Sequence, residues 1–257
     1  MSGIIGREGG AYPPHLYDQG VFKFGYNDDV DTGTVPEEVW GPGGIITWPN
    51  AQAVPSIVSD DAADAAAGAG AQTLFIQGVN DQFDFTFETL ALNGLTPVAP
   101  ANEYLFIDRM FVASHGADPG VSNVGTITAT IGGLVVAQIE AGAGQTLGAL
   151  YTVPNAINPN ESARLLSASA TVGRQAAAFA RVRLITQEQV NGINSGAYRT
   201  QADFHLHSQG SSAAESLRWE VLPLSLSAGT RIWMRVIEVS ANNVAVSGIF
   251  QIGWWRG

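Results

Sequence analysis

Phe-Asp-Phe-Thr-Phe-Glu-Thr-Leu-Ala-Leu-Asn-Gly, residues 83–94, sets the frame for the whole chain. Phe83, Phe85 and Phe87 alternate with Asp84 and Thr86. That period of two puts successive side chains on opposite faces of a strand. After Thr89 the apolar positions change phase to Leu90 and Leu92, a shift that a β-bulge near Glu88 and Thr89 would produce. Asn93-Gly94 then supplies a tight turn, because both residues tolerate left-handed backbone.

Working outward, the same unit recurs. Strand-like segments are expected at 104–114, 124–131, 135–140, 147–153, 162–172, 177–186, 198–207, 217–226, 231–240 and 244–254. Gly132-Gly133 reads as a hairpin loop between two of them. The segments are short, separated by Gly, Asn, Pro and Ser, and uninterrupted by any helical period. The chain should therefore be all-β, an antiparallel β-sandwich or jelly-roll-like body. At 257 residues it has room for one large β domain or two small ones.

The N-terminal quarter differs in composition. Residues 1–64 hold ten acids and two bases, a net of -8 out of -11, and six of the twelve prolines. Proline cannot donate to a sheet ladder, so residues 1–58 are expected to form an irregular arm with at most short strands. Residues 59–257 then form the body, with room for two sub-sheets. Seven aromatics lie in the arm: Tyr12, Tyr17, Phe22, Phe24, Tyr26, Trp40 and Trp48. A solvated tail would not keep them, so the arm should pack on its own body or on a partner. Aromatics anchor interfaces. Tyr12, Tyr17, Phe24, Tyr26, Trp40 and Trp48, with Trp254 and Trp255, are the candidate interface residues. Residues 61–71 (DAADAAAGAGA) suit either a short helix ending at Gly68 or a linker.

Composition narrows the chemistry. Charged residues make up 14% against about 25% in ordinary domains, which suggests surface covered by copies or partners. There is no cysteine, which excludes thiolate catalysis and thiolate metal sites. Lys23 is the only lysine and the net charge is -11, so neither nucleic acid nor an anionic membrane is an expected partner. No apolar run reaches membrane-spanning length, and residues 1–10 lack the apolar core of a secretory leader. Asn160 heads an Asn-Glu-Ser triplet, read as chance in a chain without secretion signals.

The motifs that could carry chemistry all have plainer readings. Gly142, Gly144 and Gly148 miss the dinucleotide spacing at Leu147 and read as a turn. His205 and His207 share one strand face and could start a metal site, but no third ligand is indicated. Asp60, Asp61 and Asp64 lack calcium-loop spacing; first-turn Asp near a helix start is the simpler reading. Ser114-His115 and His207-Ser208 are neighbours on opposite strand faces, not dyads. Neither a cofactor nor a metal is expected, and the chain reads as non-enzymatic. Trp219 and Trp233 lie inside strand patterns and read as core.

Several stretches look familiar together: FGYNDDVDTGTVPEEVWGPGG (24–44), SDDAADAAAGAGAQTLFIQGV (59–79), FETLALNG (87–94), NVGTIT (123–128) and YTVP (151–154). Across about residues 20–155 the chain resembles virion structural proteins of tailed bacteriophages, especially marine ones, that accompany the major capsid protein. The resemblance implies a β-rich homo-oligomer, most commonly a trimer, serving as capsid cement or decoration on the outside of the phage head. It implies the major capsid protein as partner and brings no catalytic residue with it. A tail, fibre or baseplate protein binding a host-surface glycan is the alternative. A free carbohydrate-binding or hydrolytic β-sandwich is a weaker third.

Overall fold

The computed structural model describes residues 19–117, 122–155, 161–173, 177–189, 193, 196–209 and 215–256. Among them every regular element is a strand: β1 Gln19–Val30, β2 Glu37–Glu38, β3 Ser56–Ser59, β4 Ala71–Val79, β5 Phe85–Ala91, β6 Phe106–His115, β7 Ile127–Ile131, β8 Leu134–Ile139, β9 Leu150–Thr152, β10 Glu161–Gly173, β11 Ala177–Gln187, β12 Tyr198–Gln209, β13 Glu215–Leu226, β14 Arg231–Val239 and β15 Val244–Arg256. The chain forms two compact units. One comprises the residues up to Ile45 and those from Gly148 onward; the other is Ile46–Leu147, inserted between these two segments in sequence. The composition boundary at 58/59 marks a change in charge and proline content, not the edge of a compact unit.

The first unit is a sandwich of two antiparallel sheets, ordered β1-β15-β10-β13 and β12-β11-β14-β2. Numbered along this unit, with β2 and β9 as two pieces of one strand position, the sheets read 1-8-3-6 and 2-7-4-5. That is the topology of an eight-stranded jelly roll. Alternation builds its core: β11 buries Ala180, Val182 and Leu184, β14 buries Ile232, Met234 and Val236, and β15 buries Val246, Phe250 and Ile252. Apart from Ala180, each of these side chains contributes about 1.5–3 kcal/mol on burial. Between Leu165 and Ser167 of β10 the register shifts against both neighbouring strands: Leu166 is the extra residue of a bulge against β15, whereas against β13, whose partners jump from Leu224 to Glu220, the extra residues lie on β13.

The second strand position is split by the insertion. Glu37 and Glu38 pair with Val236 and Arg235, while Leu150–Thr152 pair with Trp233, Ile232 and Arg231. The two pieces meet at Met234. Its carbonyl accepts from Val39 N–H (2.9 Å), its N–H donates to the Ala149 carbonyl (3.0 Å), and Ala149 N–H donates to the Val39 carbonyl (2.9 Å). Gly25 on β1 sits against this junction because an added Cβ would lie 2.2 Å from both Ala149 N and Val39 O.

The expectation of at most short strands in the N-terminal quarter needs correction. β1 runs twelve residues and pairs with β15 from Gln19 to Val30, so this region holds a full sandwich strand. Its prolines all lie outside it; the stretch 19–30 contains none.

The inserted unit has two three-stranded antiparallel sheets, β3-β7-β8 and β5-β4-β6. Leu74, Ile76, Leu105, Phe106, Met110, Ile127 and Ile139 are among its buried residues. Gly132 and Gly133 close the β7–β8 hairpin with φ of 57° and 81°, as a primed turn requires. Of the two readings of 61–71, a short helix or a linker, the helix does not form; those residues make turns held by the Asp64 side chain. Asp64 is fully buried. Its Oδ1 accepts from Ala71 N (2.8 Å) and Val124 N (2.9 Å), and its Oδ2 from Ser59 Oγ (2.7 Å) and Gly125 N (2.8 Å). Side-chain-to-backbone bonds of this kind outcompete helix formation.

Candidate interaction face

The opening stretch holds the largest departure from expectation. Phe83 has a left-handed φ of 64° and precedes the strand. β5 pairs with β4 in continuous register from Val79 with Phe85 to Thr73 with Ala91, so no bulge interrupts it. Without a bulge, parity is strict: Phe85, Phe87, Thr89 and Ala91 face outward, and Thr86, Glu88 and Leu90 face inward. Two phenylalanines of the alternating row are exposed, Phe85 by 40% and Phe87 by 58%.

They form part of a continuous ring cluster on the outer face of the β5-β4-β6 sheet. Phe75 of β4 pairs directly with Phe111 of β6, and their rings stack at 4.9 Å. Phe75 stacks on Phe87 at 6.0 Å, and Phe87 meets Phe85 at 5.8 Å. The Arg109 guanidinium lies 5.3 Å from the Phe111 ring centre and donates to Gln145 Oε1 at 3.4 Å. Burial lowers its pKa from the ordinary arginine value. Glu88 anchors the far side of β5, accepting from Ala101 N (2.8 Å), Asn102 N (3.0 Å) and the Tyr104 hydroxyl (3.1 Å). Burial, and then the Glu88 charge, raise the Tyr104 pKa. Rigid aromatic rings on a backed sheet suit contact with another macromolecule.

The residues expected at an interface are placed as follows. Phe24 is 45% exposed on β1, with Phe22 and Tyr26 half-buried on the same strand face. Trp40 is buried and donates from Nε1 to the Gly43 carbonyl at 2.7 Å. Trp48 is buried with its ring 4.4 Å from Phe106. Trp254 belongs to the sandwich core. Tyr12, Tyr17 and the Trp255 side chain lie outside the described residues, as do Asn160 and the Trp219 side chain. Trp233 is fully buried.

The remaining polar candidates serve local structure. Asp60 Oδ1 accepts from Thr126 N and Asp61 Oδ1 from Ala63 N, both at 2.7 Å. His205 lies 3.7 Å from Asp203, and Phe179 sits between His205 and His207 at ring distances of 6.1 and 5.1 Å. Asp203 is bound by Arg181 at 2.7 Å and Arg183 at 3.1 Å. The Arg181 hydrogen bonds, then those of Arg183, hold the Asp203 carboxyl below its ordinary pKa. Ser114 Oγ lies 2.6 Å from Thr73 Oγ1. Among the described residues no three His, Asp or Glu side chains gather at metal-binding spacing.

No protein-family model matches the chain, and no curated protein matches it. Alignment to the structure of the infectious bursal disease virus Gt strain gives 8% identity over 94% of this chain and 80% of that one, with a TM-score of 0.15. Alignment to T=1 particles derived from infectious bursal virus gives 9% identity over 93% and 78%, with a TM-score of 0.13. Scores this low support no inference about fold or role. The class of protein rests on the strand order, which makes this a jelly-roll β-protein with an inserted β unit.

Proposed function

We propose that this chain is a virion structural protein: a cement or decoration protein on the outside of a tailed-phage head, partnered by the major capsid protein. The observation that carries the proposal is the Phe75–Phe85–Phe87–Phe111 cluster on the inserted unit, in which Phe85 and Phe87 are exposed and Phe75 and Phe111 half-buried. It is a binding surface rather than a reaction site, so the chain acts by contact and not by catalysis. Jelly rolls serve in capsids and lectins alike, and fold alone does not choose between them. The face does favour one. Glycan platforms present Trp or Tyr beside Asp or Asn, whereas this face is built of phenylalanine beside Gln77, Arg109 and Gln145. The chain works as a homo-oligomer, a trimer, which light scattering at micromolar concentration would read directly.

The test is co-sedimentation with phage heads lacking the protein. Wild type should pellet with heads in saturable fashion, and Phe87→Ser should bind about tenfold more weakly, the equivalent of about 1.4 kcal/mol. Wild type remaining in the supernatant would overturn the capsid reading.

A further inference from the structure

We infer that the aromatic face of the inserted unit receives an arginine-bearing protein surface and is not the contact between copies of this chain. The argument starts from where the charge lies. Between Ile46 and Leu147 there are ten acids and one base, Arg109, while the rest of the chain holds thirteen acids and eleven bases. Nearly all of the net charge of -11 therefore belongs to the unit that carries the exposed rings. Asp84 stands exposed directly before Phe85, and Asp60 and Glu103 are exposed elsewhere on the same unit.

Ring area alone makes a small contact. Each Phe contributes at most about 150–250 Å², and these four already cover part of one another. A standard interface takes about 800 Å² from each partner, so the rings can form its centre but must be surrounded by a polar rim. Exposed Asp84 next to Phe85 puts an acid in that rim, on a unit whose acids outnumber its bases ten to one. A second copy would bring the same acids within a Debye length of about 8 Å, and like charges facing each other cost several kcal/mol. It would also set Arg109 against Arg109. A cationic surface removes the first penalty, and it avoids the second where its arginines lie over Phe85 and Phe87 on β5, the edge strand across the sheet from Arg109 on β6. Arginine suits it better than lysine, because its planar guanidinium stacks on exposed ring faces and is weakly hydrated. Arg109 over Phe111 at 5.3 Å shows the same contact within the chain.

In the proposed function that partner is the major capsid protein; the inference rests on that reading only for the partner's name. The experiment measures binding of the full-length protein to an immobilised peptide of alternating Leu and Arg, with a Leu/Glu peptide as counterpart and phage heads in parallel. Wild type should bind the Leu/Arg peptide and not the Leu/Glu one. Raising salt from about 50 mM to about 500 mM, which shortens the Debye length about threefold, should weaken binding more than tenfold. Phe87→Ser and Phe85→Ser should each weaken it about tenfold, a change of about 1.4 kcal/mol. Leu95→Ser, at a residue 61% exposed on the same unit but off this sheet, should leave it unchanged. Unchanged binding in both phenylalanine variants would overturn the inference. So would a smaller oligomer for either variant in light scattering, which would make the face a self-contact. Peptide binding without head binding refutes the capsid reading and leaves the inference standing; head binding that ignores salt and Phe87 refutes the inference and leaves the capsid reading.

Discussion

Replacing Asp64 tests how the inserted unit is held together. Its two carboxylate oxygens take four donors: three backbone N–H groups and the Ser59 hydroxyl. In Asp64→Asn one oxygen becomes an NH₂ group. Placed at the Oδ2 position, the amide confronts Gly125 N–H, while Ser59 can rotate its hydroxyl to accept. Placed at Oδ1, it confronts both Ala71 N–H and Val124 N–H. The better orientation therefore leaves one backbone donor unsatisfied, at about 1–3 kcal/mol, and the remaining bonds lose their charge assistance. The expected loss is about 3 kcal/mol, and Asp64→Ala, which strands all three N–H groups, should lose about 4 kcal/mol. For a unit of this size the asparagine variant should melt on the order of 10 °C lower. Native-state hydrogen exchange gives the local readout, with the amides of Ala71, Val124 and Gly125 losing protection first. Asp60→Asn, which keeps an oxygen to accept from Thr126 N and loses only the charge of an exposed bond, is the control and should cost less than about 1 kcal/mol. Unchanged protection at those three amides, or a stability loss no larger than the control's, would refute the carboxylate's role.

Gly25→Ala should abolish soluble folded protein, since its Cβ meets backbone at 2.2 Å on two sides; Gly248→Ala, which meets the flexible Met234 thioether at 2.4 Å, should cost less. Arg235→Met takes the guanidinium from the fully buried Glu38, now bound at 3.0 and 3.2 Å, and should cost about 3–5 kcal/mol in urea unfolding; adding Glu38→Gln should recover part of it. Asp203 has a lowered folded-state pKa, so its contribution is present above the ordinary carboxylate range and disappears as pH falls through the folded value. The stability gap between wild type and Asp203→Asn should be small at neutral pH, below about 1 kcal/mol for a partly exposed pair, and vanish in acid; a gap widening toward acid would contradict this. A variant lacking residues 1–58 loses β1, β2 and three of the four residues of β3, and its circular dichroism should show an unfolded sandwich unit rather than a trimmed one.

Much of the sandwich was legible because its strands bury one face and wet the other. The segments expected from 162 onward match β10 to β15 to within about two residues, the usual boundary scatter. β1 was missed because the prolines at 13, 14, 36, 42, 49 and 55 coloured a stretch that lies between them. The region at 61–71 stayed open between a helix and a linker because alanine propensity is a local signal, whereas the Asp64 bonds that fix its turns reach Val124 and Gly125 sixty residues away. No local pattern announces that β2 and β9 share one strand position. The aromatic face illustrates a different limit. Alternation tells which residues share a side but not which side meets solvent, and the phase change at Leu90 suggested a bulge. The structure resolves it with an unbroken strand whose polar-looking parity faces inward and whose phenylalanines face out.

The claim that this is a particle component is tested most directly by counting it. Quantitative mass spectrometry of purified particles should find the chain in a fixed ratio to the major capsid protein, with copies on the scale of the head lattice. Its absence from purified particles, or a handful of copies per particle as befits a tail, would contradict the account.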